Sequence, residues 1–292
     1  MRQAVGMYTI DRSVDLHEPV LLMSFTGWVD AGGVGTAAAG LIASAGEVIG
    51  HFDADALFDY RVNRPTADFI DGKLARLEYP EITITARSLD DTDLLIISGT
   101  EPEFRWQAFV ASVQDLVERF AVSQFVAIGS VPGPVPHTLP TPVLNTSMQR
   151  DFAAEGERVA EGLLQVPAAA VTATEWHLGQ LGLPTAGFWA QVPHYMNQPF
   201  TQAIITLVER VGRHLDLMFP LNDLAARADQ QRIQLDEMAT QQPDIAAHIE
   251  RLESLANQDD AVPSAEEIGF EIERFLRDEA DGGTPPQSGP VG

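Results

Sequence analysis

Several polar residues of this chain stand just behind apolar runs, where an α/β protein keeps its reactive groups. Asp30 follows "PVLLMSF", Glu101 follows "DLLIISG" and His137 follows "SQFVAIGSV". Glu175 and His177 follow "AAAVTA", and His194 and Tyr195 follow "TAGFWAQV". If these runs are parallel strands, the loops behind them share one edge of a sheet, where such folds bind ligands. Carboxylates and imidazoles gathered there would suit general acid–base chemistry, with Asp30, Glu101, His137 and His194 as the catalytic candidates. A phosphate-using reaction also needs donors, and Arg105 with the amides of Gly32 to Gly35 would supply them. Trp28, Gly32, Gly33, Gly35, Arg105 and Ser130 are the ligand-binding candidates.

Each of these residues has a structural alternative. Asp30 can cap a helix, and Glu101 can sit in a first helical turn, where the helix dipole favours an acid. Arg105 can pair with a neighbouring acid on a helix surface. His137 lies in the proline-stiffened "PGPVPHTLPTP" and can be a satisfied hydrogen-bonding residue. His177 and His194 lack metal-ligand spacing, so no metal is expected. Ser130 is not in a G-x-S-x-G elbow, which leaves a serine nucleophile weakly supported.

The stretch "SFTGWVDAGGVGTAAAG" poses the sharpest choice. Gly33, Gly35 and Ala38 fit the G-x-G-x-x-A form of a dinucleotide fingerprint, and Asp53 lies where a ribose-binding acid would be wanted. The segment "TGWVDAG", however, separates Phe25 from Gly33, whereas a fingerprint glycine leaves its strand directly. Asp30 in that approach also disfavours a phosphate. A nicotinamide-dependent oxidoreductase is therefore the weakest reading, and no cofactor is expected. The structural reading fits better. Asp30 or Thr26 caps a helix, small residues from Ala31 to Ala39 let it lie close to a sheet, and Gly46 ends it. Trp28 then plugs or lines a cleft.

The elements that must position these groups follow from hydrophobic spacing. Strands are expected at 19–25, 47–53, 82–87, 93–99, 123–131, 168–173 and 185–192. Several are apolar at consecutive positions, as in strands covered on both faces. A helix is expected from Thr100, with Glu103 at a capping-box position and Phe109, Val113, Leu116, Val117 and Phe120 on its buried face. The alternation predicts a three-layer α/β sandwich around a largely parallel sheet, spanning residues 1–215. Residues 216–280 read as an acidic helical extension broken at Pro243, with a further helix after Pro263. Residues 281–292 read as a disordered tail.

Composition narrows the partners. The chain has 292 residues, 45% of them apolar, and carries a formal charge of −24 from 42 acidic and 18 basic residues. Such an acidic surface repels nucleic acid and anionic membrane, so neither is expected as a partner. Lys73 is the only lysine, and there is no cysteine, which removes disulfides and thiolate chemistry. The N-terminus lacks the apolar core of a signal peptide and no stretch reads as a membrane span, so a cytoplasmic protein is expected. No Asp, Glu, Lys or Arg occurs between Arg119 and Arg150 or between Glu175 and Glu209. Those uncharged tracts predict core strands together with an interface or an apolar pocket.

Three spaced motifs carry a family resemblance: "GWVDAGG", "SGTEPEFRW" and "IGSVPGPVPHT". In them the chain resembles the proteasome assembly chaperone 2 family, and specifically its actinobacterial branch of unassigned function. Gly27, Trp28, Asp30 and Gly32 match the first motif. Gly99, Glu101, Pro102, Arg105 and Trp106 match the second. Gly129, Ser130, Pro132, Pro136, His137 and Thr138 match the third. The resemblance implies a purine nucleoside phosphorylase-like fold and work as an oligomer through protein contacts. The primary expectation is an oligomeric protein-interaction or assembly-chaperone-like protein, with itself as partner in a trimer and another protein as client. The alternative is a small-molecule enzyme or binder of nucleoside phosphorylase or hydrolase type, using the loops at the sheet's carboxyl edge.

Overall fold

The protein is described by a computed structural model over residues 6–149, 163, 165–196 and 198–258. Along the chain run β1 (Tyr8–Ile10), β2 (Val20–Thr26), α1 (Val34–Ala43), β3 (Glu47–Phe52) and α2 (Ala54–Leu57). Next come β4 (Thr66–Ile70), β5 (Lys73–Glu78), β6 (Ile82–Leu89), β7 (Thr92–Thr100) and α3 (Trp106–Phe120). Then follow β8 (Gln124–Gly133), β9 (Val143–Thr146), α4 (Ala170–Gln180), β10 (Thr185–Pro193), α5 (Thr201–Leu215), α6 (Leu224–Gln241) and α7 (Pro243–Gln258).

Eight strands form one sheet in the order β1-β3-β6-β7-β2-β8-β10-β9. Its centre, β7-β2-β8-β10, is parallel, and the strands outside it are antiparallel. Helices cover both faces. Leu21, Met23 and Phe25 of β2 pack with Phe109, Val113 and Leu116 of α3 and with Val171 and Leu178 of α4. Val20 and Leu22 point to the other face, against Val34, Ala38 and Ile42 of α1 and Leu207 and Val211 of α5. Period-two alternation between two apolar layers is why these strands read as unbroken apolar runs. The three-layer α/β architecture is as expected.

The helical extension joins the second layer. Leu224, Ala228 and Leu235 of α6 belong to the same core cluster as α1 and α5. Gln231 of α6 accepts from the Thr201 amide at 2.9 Å and donates to the Pro199 carbonyl at 2.8 Å, tying it to the start of α5. The helix expected after Pro263 and the tail at 281–292 lie outside the described residues.

Two expected elements differ. Residues 168–173 do not form a strand: α4 starts at Ala170. A short apolar run does not distinguish helix from strand by itself. Here the buried positions Val171, Thr174, Glu175 and Leu178 follow the helical period, and alanine favours it. The helix expected at Thr100 begins instead at Trp106, because the chain stays in β7 through Thr100. Glu103 makes no capping box; its carboxylate accepts from the Asp59 amide and, at 3.1 Å, from Asn63. At the end of α1, Ala45 carries the left-handed φ of 66°, and Gly46 is needed for space, between Thr85 and the Ala86 carbonyl.

The β4–β5 hairpin was not foreseen. It is a separate two-stranded sheet, and every one of its strand residues is exposed.

Candidate functional site

The carboxyl ends of β2, β7, β8 and β10 lie along one edge of the sheet, and the candidate residues follow them. They do not converge on one centre. Three separate settings hold them.

The first is the glycine turn. Asp30 is buried, and its Oδ1 accepts from the amides of Gly35 at 2.7 Å and Thr36 at 3.1 Å. Its Oδ2 accepts from the Thr36 hydroxyl at 2.6 Å. Burial raises its pKa, and the hydrogen bonds from Thr36, Gly35 and Ser130 oppose that rise. The carboxylate thus occupies the amides at the N-terminus of α1 where a phosphate would have to sit. Gly32 and Gly33 adopt left-handed φ of 62° and 67°, which turns the chain into the helix. Gly35 is needed for closeness: a Cβ there would lie 2.7 Å from the Gly129 Cα on β8. Ser130 fastens the turn to the sheet, its amide donating to the Val29 carbonyl at 2.8 Å and its hydroxyl to the Ala31 carbonyl at 3.0 Å. Asp30 is the cap that the sequence suggests; Thr26 is exposed at the end of β2.

The second setting is a cavity of about 450 Å³ beside α4, lined by Trp28, Leu144, Thr146, Glu175, Trp176 and Trp189 among others. Trp28 lines a cleft, as expected, and its buried Nε1 has no hydrogen-bond partner among the described residues. Trp189 passes over Gly129 and Gly187, where a Cβ would lie 2.7 Å and 3.0 Å from its ring. Its Nε1 donates to the Thr146 hydroxyl at 3.0 Å. Glu175 stands 3.5 Å from that hydroxyl. Burial pushes the Glu175 pKa up to about 7, against the hydrogen bonds from Thr146 and Thr185. Glu101 lies in the loop after β7, outside any helix, and its carboxylate reaches the start of α4. Its Oε1 accepts from the Ala170 amide at 2.7 Å, and burial raises its pKa against that bond. Arg105 is exposed and forms the left-handed N-cap of α3.

Helical geometry separates the two polar residues that follow "AAAVTA". On a strand, Glu175 and His177 would share a face; on α4 they point apart. Glu175 meets the cavity, while His177 lies 2.8 Å from Gln114 on α3.

The third setting lies beneath the helical extension. The His137 amide donates to the Tyr195 hydroxyl at 2.8 Å, and its Nδ1 lies 2.8 Å from the same oxygen. Its Nε2 lies 3.2 Å from Asp236 of α6. With the proton on Nε2, the Tyr195 hydroxyl donates to Nδ1 and Nε2 donates to Asp236, which satisfies every group. Burial, reinforced by Glu253, pushes the Tyr195 pKa up to about 12 against the His137 amide. His194 approaches the Gly133 carbonyl at 3.3 Å through Nδ1 and His248 of α7 at 3.0 Å through Nε2. Thr138 donates to Glu253 of α7. His137 and His194 therefore anchor α6 and α7 to the loops after β8 and β10.

The uncharged tracts supply β8, β9 and β10 and much of the cavity wall. Thr146, Trp176 and Trp189 are cavity residues that sequence reasoning did not single out; their only signal was membership of those tracts. Among the described residues no group of His, Asp and Glu is arranged to hold a metal ion, and no helix is long and apolar enough to cross a membrane.

Comparison with known proteins places the fold. A family model described as PAC2 family matches residues 24–239. A Mycobacterium tuberculosis protein of unknown function shares 29% identity at a TM-score of 0.83, covering 92% of this chain and 96% of that one. A proteasome-assembly chaperone homologue from the same organism shares 29% identity at a TM-score of 0.72, covering 79% of this chain and 99% of that one. An archaeal proteasome activator from Pyrococcus furiosus, at 16% identity and a TM-score of 0.64, covers 79% of this chain and 97% of its own and shares the fold. No curated protein matches the chain.

Proposed function

The chain belongs to the PAC2 family, and from that premise we propose that it works through protein contacts, as a homo-oligomer with an assembly-chaperone-like role. The observation that carries the reading is the β4–β5 hairpin. Register puts Ala67 opposite Leu77 and Phe69 opposite Leu74, so these apolar residues share one face. Thr66, Asp68, Ile70, Lys73, Arg76 and Glu78 take the other, where Arg76 pairs with Glu78. Phe69 is 67% exposed and Leu74 57% exposed. A lone two-stranded hairpin is marginal in water, and an apolar face of this kind marks an interaction surface.

A second copy of the chain is the fitting occupant. Between Tyr60 and Tyr79, Arg61, Arg64, Lys73 and Arg76 outnumber Asp68, Asp71 and Glu78, in a chain whose net charge is −24. With Arg61 paired to Asp59 and Arg76 to Glu78 the arm is close to neutral, so a second acidic copy is repelled there less than the chain's average charge would dictate. The likeness to a proteasome-assembly chaperone homologue supports a further protein as client. Light scattering of the full chain and of the double variant Phe69→Glu, Leu74→Glu tests the reading. The expected result is an oligomer, with a trimer as the stoichiometry to look for, and a folded monomer for the variant. A monomeric parent chain, or a variant of unchanged mass, overturns it.

A further inference from the structure

The cavity beside α4 is lined by residues outside the hairpin and opens to solvent on one side, where Trp176 is exposed. Its about 450 Å³ is within the size range of small-molecule sites. Its walls are largely indole and aliphatic, from Trp28, Trp176, Trp189 and Leu144. Among the described residues one carboxylate reaches this apolar space, Glu175, which is only 6% exposed. Among the described residues no arginine or lysine lines the cavity. The neighbours of the carboxylate are the hydroxyls of Thr146 and Thr185. Thr146 already accepts from Trp189, so its hydroxyl proton is directed to Glu175. The carboxylate is oriented but has no counter-charge among the described residues.

We propose that the cavity binds a small organic amine with an aromatic or apolar body, its ammonium paired with Glu175 and its body against the indoles. An ammonium supplies a counter-charge that no described residue gives the buried carboxylate, and the attraction is stronger in this surrounding than in water, against the cost of desolvating the ammonium. Indole faces attract a cation, which adds to the burial of the ligand's apolar body. The net charge of −24 draws cations to the protein and repels carboxylates and phosphates.

Calorimetric titration of the full chain tests the proposal, with phenethylamine and tryptamine as probes and 2-phenylethanol as the neutral counterpart of the first. At least one amine is expected to bind saturably with one site per chain, and phenethylamine about tenfold or more tighter than the alcohol. Glu175→Gln should erase that preference while leaving the circular dichroism spectrum unchanged. Leu144→Trp, which fills the cavity, should abolish binding of both amines and so serves if the first variant fails to fold. Absence of saturable binding by either amine, equal affinity for phenethylamine and the alcohol, or a preference that survives Glu175→Gln would overturn the proposal.

Discussion

The Asp30 carboxylate lies 2.7 Å from the Gly35 amide and, through the same oxygen, 3.1 Å from the Thr36 amide. A loop that resembles a phosphate cradle is thereby closed by the protein's own anion. The side chain takes the place that a phosphate would otherwise occupy, and the close contact of Gly35 with Gly129 fixes α1 on the sheet.

Removing this cap has a defined cost. Asp30→Ala should lower stability by about 1–2 kcal/mol and Asp30→Asn by about 1 kcal/mol or less, since the amide oxygen can still accept from both backbone donors. Urea denaturation of both variants checks the order. An Asn variant as unstable as the Ala variant would show that charge, not acceptor geometry, holds the turn.

Gly35→Ala tests the packing side of the same turn. The added methyl would press on the backbone at Gly129, which cannot rotate away, so a loss of roughly 1–3 kcal/mol is expected. A neutral or stabilising result by thermal unfolding would mean that α1 can lift from the sheet at little cost.

Glu175 makes stability depend on pH. Its folded pKa is raised to about 7, so the native protein keeps a proton that the unfolded chain releases. Native stability is therefore complete below the ordinary glutamate range and falls as pH rises from there through about 7, by roughly 3 kcal/mol in all. Glu175→Gln should flatten this limb, gaining on the parent chain as pH rises from about 4 to 8. Denaturation midpoints across that range read the difference, and parallel curves for the two proteins would refute it.

His137→Ala should loosen the helical extension. The substitution removes the imidazole between Tyr195 and Asp236, while the residue-137 amide still donates to the Tyr195 hydroxyl, at a cost of roughly 1–2 kcal/mol. Amide exchange should quicken in α6 and α7 while β8 and β10 keep their protection. Uniform acceleration across the chain would instead point to a role in the core.

Much of the fold was legible in residues such as Val20 to Phe25 and Leu94 to Ile97, because strands covered on both faces are apolar at consecutive positions. Asp30 was legible as a cap from its place before a run of small residues. The hairpin was hidden because Asp68, Lys73 and Arg76 interrupt its apolar residues, and an extra residue on β5, Ala75, opposite the step from Asp68 to Phe69, breaks their alternation. The "AAAVTA" run was misread as strand because Ala, Val and Thr are acceptable to either state over so few residues.

By itself the sequence determined the α/β class, the capped turn into α1, the acidic balance and the family motifs, since each rests on local spacing or on composition. The cavity and the histidine cluster were decided only in three dimensions. Thr146, Glu175 and Trp189 stand on different elements, and His137 meets Asp236 across 99 positions of chain. Whether a carboxylate is solvated, capping or buried without a counter-charge depends on which elements close over it, and that is set by packing rather than by its neighbours in sequence.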